Sequence, residues 1–443
     1  MVKHLSQQES EFRVKSSWLP PSLQHHRFRY LWIGLLISVA GNQMQTTAVL
    51  WHINELSGGE PIALGGVGLV RIIPILIFSL IAGATADVVN RRRLMFITQS
   101  VLAALAATLG LLTAFGLDSI AVIYIIIALS GAFWAFDSPA RQSLIPNLVP
   151  RDTLTNAFSL SSIASKFGGI VGPALAGVVL ANWGIEFAYL LNAISFLAVI
   201  IALIRMGPVS QVTIDQTTQK ATEWKASTIY ASVLDGLHFV VKQPIILSSM
   251  LLDFFAMLFA SFTTLLPIYA KEILLVGAQG YGYLAAAPSI GAAVVAGTLS
   301  FVRNIRNQGR TLLLAVFGFG LSVLVFGLSR SYTLSFFALA MTGMTDGASA
   351  IIRNTIRQLQ TPDHLRGRTV SINMIFFSGG PHMGQLEAGL VAQFFGPVFS
   401  VVSGSIACLI ASFAIAMRFP ELRMYRGDEP ILAGTSQVEV QQG

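Results

Sequence analysis

The chain has 443 residues, of which 54% are hydrophobic and only 11% charged, and its mean hydropathy is +0.68. Charged residues make up about 25% of an ordinary soluble globule, so that class is excluded and a polytopic, all-α integral membrane protein is implied. The net charge of +7 would suggest nucleic acid in a soluble chain. Here the basic residues gather in particular loops between apolar runs, which is a topological signal and argues against a nucleic-acid partner.

In chain order, residues 1–28 form a polar, basic lead carrying Lys3, Arg13, Lys15 and Arg27, expected in the cytoplasm. The first apolar run starts near Leu31 behind Arg29. It is too long for the apolar part of a signal peptide and no small-residue cleavage site closes it, so it is expected to stay as a span. Further runs follow, giving about twelve spans at 29–54, 62–87, 94–116, 119–140, 156–181, 185–206, 245–271, 280–302, 311–329, 332–356, 368–395 and 398–418. Each is near the ~20 residues needed to cross a bilayer as a helix.

Loops after the even-numbered spans carry the cations: Arg91 to Arg93, Arg141 and Arg151, Arg205 with Lys220, Lys225 and Lys242, Arg303 to Arg310, then Arg357, Arg366 and Arg368. Loops after odd-numbered spans hold Glu55, Glu60, Asp118 and Glu186, with Lys271 and Arg330 as exceptions. The asymmetry places both termini and the central loop in the cytoplasm. The domains expected are bundles at 29–206 and 245–418, joined by a polar linker at 207–244 and followed by a tail at 419–443. Within the linker, Trp224, Ile229, Val233, Leu237 and Val240 share one helical face, which predicts either an interfacial helix on the inner membrane surface or a plain tether.

A repeat underlies the two bundles. At an offset of 212 residues, since 343 − 131 = 212, Gly131 falls on Gly343, Gly168 on Gly380, Gly172 on Gly384, Gly177 on Gly389 and Gly184 on Gly396. Arg91 falls on Arg303, Arg141 on Arg353, Pro150 on Pro362 and Ser159 on Ser371. Glycine is only 39 of 443 residues, so five coincidences in so short a stretch point to two parallel six-span halves.

Two motifs stand on this frame. Between the second and third spans lies Gly83-x-x-x-Asp87, followed by Arg91, Arg92 and Arg93. A carboxylate four residues before an arginine can pair with it over one helical turn, or meet the positive end of a neighbouring helix. In the fifth span, Gly168-Gly-Ile-Val-Gly172-Pro173-Ala-Leu-Ala-Gly177 puts small residues where a neighbour can approach closely and a proline where the helix can bend.

The first motif resembles the gating loop of major facilitator superfamily transporters, with Val88 and Asn90 in place of its usual arginine and glycine. The second resembles the antiporter motif of the same superfamily, with Ala176 for one glycine. Phe136 to Arg141 with Leu144 to Pro150, Arg366 to Ser371, and Gly379 to Gly389 are similar to the enterobactin-exporter-like branch of drug:proton antiporters. The resemblance covers nearly the whole chain. It implies the two-bundle major facilitator fold, a bacterial cytoplasmic (inner) membrane and a monomer exporting a small organic solute in exchange for protons. The solute would be siderophore-like or amphipathic and drug-like. Multidrug efflux and lysophospholipid flipping are alternatives on the same fold.

A charge at a helix centre costs on the order of 2.5–3.5 kcal/mol by insertion scales, so each needs a partner or a task. Acids within spans are Asp137, Asp253, Asp346 and Glu387; all are candidates for proton coupling, Glu387 and Asp346 foremost. The substrate cavity is expected to draw on Asn42 and Gln45 of the first span, Arg71, Lys166, Phe254 and Arg353. Arg71 and Lys166 near mid-bilayer favour an anionic or hydroxyl-rich cargo over a cationic dye. A static ion pair, or packing in the case of Phe254, is the competing role.

Catalytic chemistry finds little foothold. There is no P-loop, no His-Glu-x-x-His and no Gly-x-Ser-x-Gly. His25 and His26 lie in the polar lead, and His382 falls five residues before Glu387. The one cysteine, Cys408, permits no internal disulfide and suggests no metal cluster. Neither an enzyme nor a cofactor or metal is expected.

Overall fold

The structure, a computed structural model, describes residues 19–209, 237–302, 305–362 and 366–427, without the side chains of residues 80, 83, 84, 86–88, 366–368, 370–372 and 374–378. Twelve long helices run through the described residues. They are α1 (His26–Leu56), α2 (Pro61–Val88), α3 (Arg91–Ala114), α4 (Ile120–Leu144), α5 (Leu154–Asn182) and α6 (Ile185–Met206), then α7 (Pro244–Phe259), α8 (Gly277–Ser300), α9 (Gln308–Leu328), α10 (Tyr332–Gln360), α11 (Arg366–Phe395) and α12 (Pro397–Arg418). Among the described residues, ten segments are long and apolar enough to cross a membrane. Helix α1, which carries Asn42, Gln43 and Gln45, and helix α11 are not among the ten. A multi-pass membrane protein results, because only a helix satisfies every backbone group within its own segment in lipid.

The seventh span is not one helix. After Phe259 the chain passes through a 3-10 turn at Phe262–Leu265, a single α turn at Leu266–Ile268 and a π turn at Tyr269–Ile273. Pro267 contributes, since it has no N–H and its ring crowds the carbonyl four residues back. Most of the expected interfacial helix, residues 224–236, lies outside the described residues, while 237–242 are helical.

The described residues form two compact units, one within Met1–Val49 and Ile73–Asp215, the other within Leu50–Ile72 and Gln216–Gly443. The C-terminal end of α1 and the first half of α2 therefore belong with the second unit.

Inside the first unit, α3 packs on α4 and α6, and α5 on α6. Helix α5 also meets α1 at backbone distance: a Cβ on Gly172 would lie 2.5 Å from Gln43 Cβ and 2.6 Å from the Ala40 carbonyl oxygen. An apolar cluster of Phe28, Leu31, Met95, Leu144, Leu203 and Met206 fills one end of the unit.

The second unit repeats these pairings, with α9 on α10 and α12, α11 on α12, and α11 on α7. The matched glycines do matched work. Gly380 and Gly384 face Phe254, Met257 and Leu258 of α7, as Gly168 and Gly172 face Val39 to Met44 of α1. Gly184 and Gly396 both sit at positive φ, 108° and 87°, where the chain turns into α6 and α12. That backbone region strains any residue with a Cβ.

Candidate functional site

In the first unit the polar side chains of the spans are mostly paired. Asp137 of α4 is buried, and its Oδ1 accepts from Thr98 Oγ1 and Gln99 Nε2 of α3, each at 2.9 Å. Gln45 of α1 accepts from Asn192 Nδ2 of α6 at 2.6 Å, and Asn192 Oδ1 accepts from Ser195 Oγ at 2.9 Å. Asn42, three residues before Gln45, is half-buried.

Lys166 lies on an open face of α5. Thr155, Ser159, Ser162 and Lys166 are all exposed and fall at i, i+4, i+7 and i+11, one stripe of the helix. The hydroxyls of Ser159 and Ser162 turn back to carbonyls of Thr155 and Phe158, which lets them sit on an apolar helix at little cost.

At the end of the unit filled by the apolar cluster, Arg91 and Arg92, expected from the sequence to belong to a gating motif, are engaged with backbone. Arg91 Nη1 donates to the Ser143 carbonyl at 3.1 Å, and Arg92 Nε donates to the Leu203 carbonyl at 2.7 Å. Both carbonyls lie in last turns, of α4 and α6, where helix carbonyls lack internal partners and the dipole is negative. The surroundings of Gly83 and the side chain of Asp87 lie outside what the structure describes.

The second unit holds the charge cluster. Arg353 Nη1 of α10 makes an ion pair with Asp253 Oδ1 of α7 at 2.8 Å, and its second terminal nitrogen reaches Asp346 Oδ1 at 3.5 Å. The side chains of Arg353 and Asp253 are 9% and 8% exposed, while Asp346 is 39% exposed. Arg353 also donates to Ser349 Oγ at 2.9 Å. Asp346, Ser349 and Arg353 are spaced three and four apart, so they form one stripe of α10.

Phe254, next to Asp253, lies with its backbone against Gly380 of α11 and its ring 5.5 Å from Phe255. Pro173 and Gly177 are buried within α5. Glu387 of α11 is half-buried. It lies five residues beyond His382, about 140° round the helix at ~100° per residue, so the two do not form a pair.

A model of the family described as transmembrane secretion effector, within the major facilitator superfamily, matches residues 15–431. The chain belongs to that family. Among curated relatives of this major facilitator chain, the multidrug efflux pump Tap of Mycolicibacterium fortuitum is 26% identical, covering 88% of this chain and 94% of its own. The staphyloferrin A transporter of Staphylococcus aureus is 27% identical, covering 91% and 99%. The enterobactin exporter EntS of Shigella boydii is 24% identical, covering 94% and 98%. The fold matches a bacterial homologue of the lysosomal transporter Spinster, with a TM-score of 0.68, 15% identity and coverage of 90% and 99%. It also matches a bacterial homologue of the iron transporter ferroportin, with a TM-score of 0.64, 16% identity and coverage of 88% and 98%.

Within this family fold the four span acids divide. Asp137 and Asp253 are enclosed between helices, whereas Asp346 and Glu387 keep part of their surface open. Sequence reasoning missed Thr98, Gln99 and Asn192 as partners, because a lone Thr, Gln or Asn in an apolar run shows no pattern. It also missed that α2 and α11 meet. The signal was there in Gly65 and Gly68, one turn apart: a Cβ on Gly65 would lie 3.0 Å from Gly389 Cα, and one on Gly68 2.6 Å from the His382 carbonyl oxygen.

Proposed function

We propose that this chain is a secondary active exporter in the bacterial cytoplasmic membrane, with both termini cytoplasmic. It acts as a monomer, moving a small organic solute outward in exchange for protons. The functional halves are 29–206 and 245–418, and Gly168, Gly172, Pro173 and Gly177 form the flexing seam of the first.

The observation that carries the reading is the Arg353 guanidinium shared between an enclosed carboxylate, Asp253, and a partly open one, Asp346. Protonation of Asp346 weakens the contact within α10 and leaves Arg353 to pair with Asp253 alone, so a proton can tighten the hold of α10 on α7. Glu387, on the neighbouring α11, is the second carrier. Asp137 serves chiefly to hold α3 against α4.

The relatives include two whose names specify siderophores and one whose name specifies multidrug efflux. Arg71 within an apolar span and Lys166 on the hydroxyl stripe favour an oxygen-rich, anionic cargo, hence siderophore-like export as the first reading. Multidrug efflux is the second, supported by the Tap relative. No catalytic role is proposed.

The test is transport in inverted membrane vesicles energised by a proton gradient, with media of wild-type and deletion strains compared under iron starvation. Uptake that collapses with a protonophore, and a metabolite missing from the deletion medium, are the expected results. Uptake indifferent to the gradient would remove proton exchange.

A further inference from the structure

We propose that the segment following α12 is a docking surface for the headgroups of anionic phospholipids. The surface goes beyond the export reading and does not depend on which solute is carried.

After Arg418 the chain forms a last short helix, α13 (Pro420–Met424), and runs on through Tyr425 to Gly427. This strap packs on α7, α9 and α12 of the second unit. Its inner face is fixed by Leu422 and Tyr425, both buried. The Gly309 N–H of α9 donates to the Tyr425 carbonyl at 3.0 Å, and Gln360 Nε2 of α10 donates to the Tyr425 hydroxyl at 3.2 Å. A Cβ on Gly309 would run into the Leu422 carbonyl oxygen, so glycine at that position is what lets the strap seat.

With Leu422 and Tyr425 turned inward, Arg423 and Met424 between them are turned outward, Met424 being 61% exposed. Arg310, next to Gly309, is exposed beside the same seat, and Arg306 is exposed just before it. Arg306, Arg310 and Arg423 make no hydrogen bond or ion pair with the described residues. Arg418 stacks on the Phe419 ring at 5.6 Å and Arg426 has a contact of its own, so neither is counted. Among the described residues of the strap, Glu421 is the one acid, and it too is exposed, which leaves positive charge in excess.

The level of this face selects its partner. The 21 residues of α9 rise about 31 Å at ~1.5 Å per residue, which matches a hydrocarbon core of about 30 Å. A strap bonded to the second residue of that helix therefore lies where the headgroups begin. Arginines at that level are attracted to an anionic lipid surface, and their planar forks fit phosphate oxygens in pairs. The flexible thioether of Met424 suits the apolar layer just beneath. The orientation proposed above makes this the cytoplasmic leaflet, and headgroup binding is read without reference to it.

The experiment is native mass spectrometry of the full-length protein, delipidated in detergent and titrated with phosphatidylglycerol or phosphatidylethanolamine. Wild type is expected to bind phosphatidylglycerol more tightly. Arg310→Gln combined with Arg423→Gln is expected to weaken phosphatidylglycerol about thirtyfold, from about fivefold for each cation at a membrane surface, and to leave phosphatidylethanolamine unchanged. Gly309→Val keeps every arginine but blocks the seat, and should lose the preference as well. Arg151→Gln combined with Arg205→Gln removes the same charge from exposed positions of the first unit, and should change little. Melting temperatures check folding, and if Gly309→Val fails, the two double variants carry the comparison.

Equal weakening by the two double variants overturns the proposal, since net charge alone would then explain the binding. Phosphatidylglycerol affinity unchanged in the strap variant overturns it too. Soluble glycerol phosphate competing as strongly as the lipid would mean a small-anion site in place of a docking surface. Truncation after Gly427 that clearly strengthens lipid binding would mean that the tail acids Asp428 and Glu429 cover the strap in the full chain, and lipid would not be its occupant.

Discussion

Arg353 shows how one side chain is given a task by its neighbours. Its pair with Asp253 is nearly dry, and its contact with Asp346 is longer and open to solvent. Removing one partner of a dry pair leaves an uncompensated charge, which in buried pairs costs about 3–5 kcal/mol. Asp253→Asn is therefore expected to lower the thermal stability of the purified protein clearly, and Asp253→Leu combined with Arg353→Met to restore most of it. A double variant as unstable as the single one would mean that the pair does more than cancel its own charge. Glu387→Gln is expected to abolish proton-driven uptake in vesicles with little change in melting temperature. Intact uptake would remove that residue from the coupling scheme. Lys166 was readable as a charge within a span, whereas the bonds from Thr98 and Gln99 to Asp137 were not readable, because they join residues about forty positions apart.

At the scale of elements, the glycines decide which helices touch. Gly172 brings α5 onto the backbone of α1, and Gly384 does the same for α11 on α7. Gly172→Leu would place a branched side chain where Gln43 and Ala40 already stand. Overpacking of this kind costs about 1–3 kcal/mol, so a lower melting temperature and reduced export are expected, with Gly297→Ala, in open surroundings, as a control on stability only. Equal stability of Gly172→Leu and wild type would show that α1 and α5 can separate without penalty. The seventh span carries the opposite lesson. Its apolar composition reads as one continuous crossing, yet the chain winds through three kinds of turn beyond Phe259, a change of winding that hydropathy does not record.

For the molecule as a whole, charge placement makes the strongest claim. Arginines and lysines after the even-numbered spans predict that reporter fusions at the N-terminus, at the central linker and after Arg418 give cytoplasmic signals, and fusions after α1 or α3 give external ones. A reversed pattern would overturn the proposed orientation of the chain.

Sequence by itself determined that this is a membrane chain of about twelve helices in two repeated halves, because hydropathy, loop charge and a 212-residue offset are one-dimensional signals. Only the tertiary structure decided that the start of α2 belongs with the second unit, that Asp253 partners Arg353, and that Gly65 of α2 lies against Gly389 of α11. Those contacts bring together residues a hundred or more positions apart. Which of several matching glycine faces close on each other is fixed by the packing of all the helices at once.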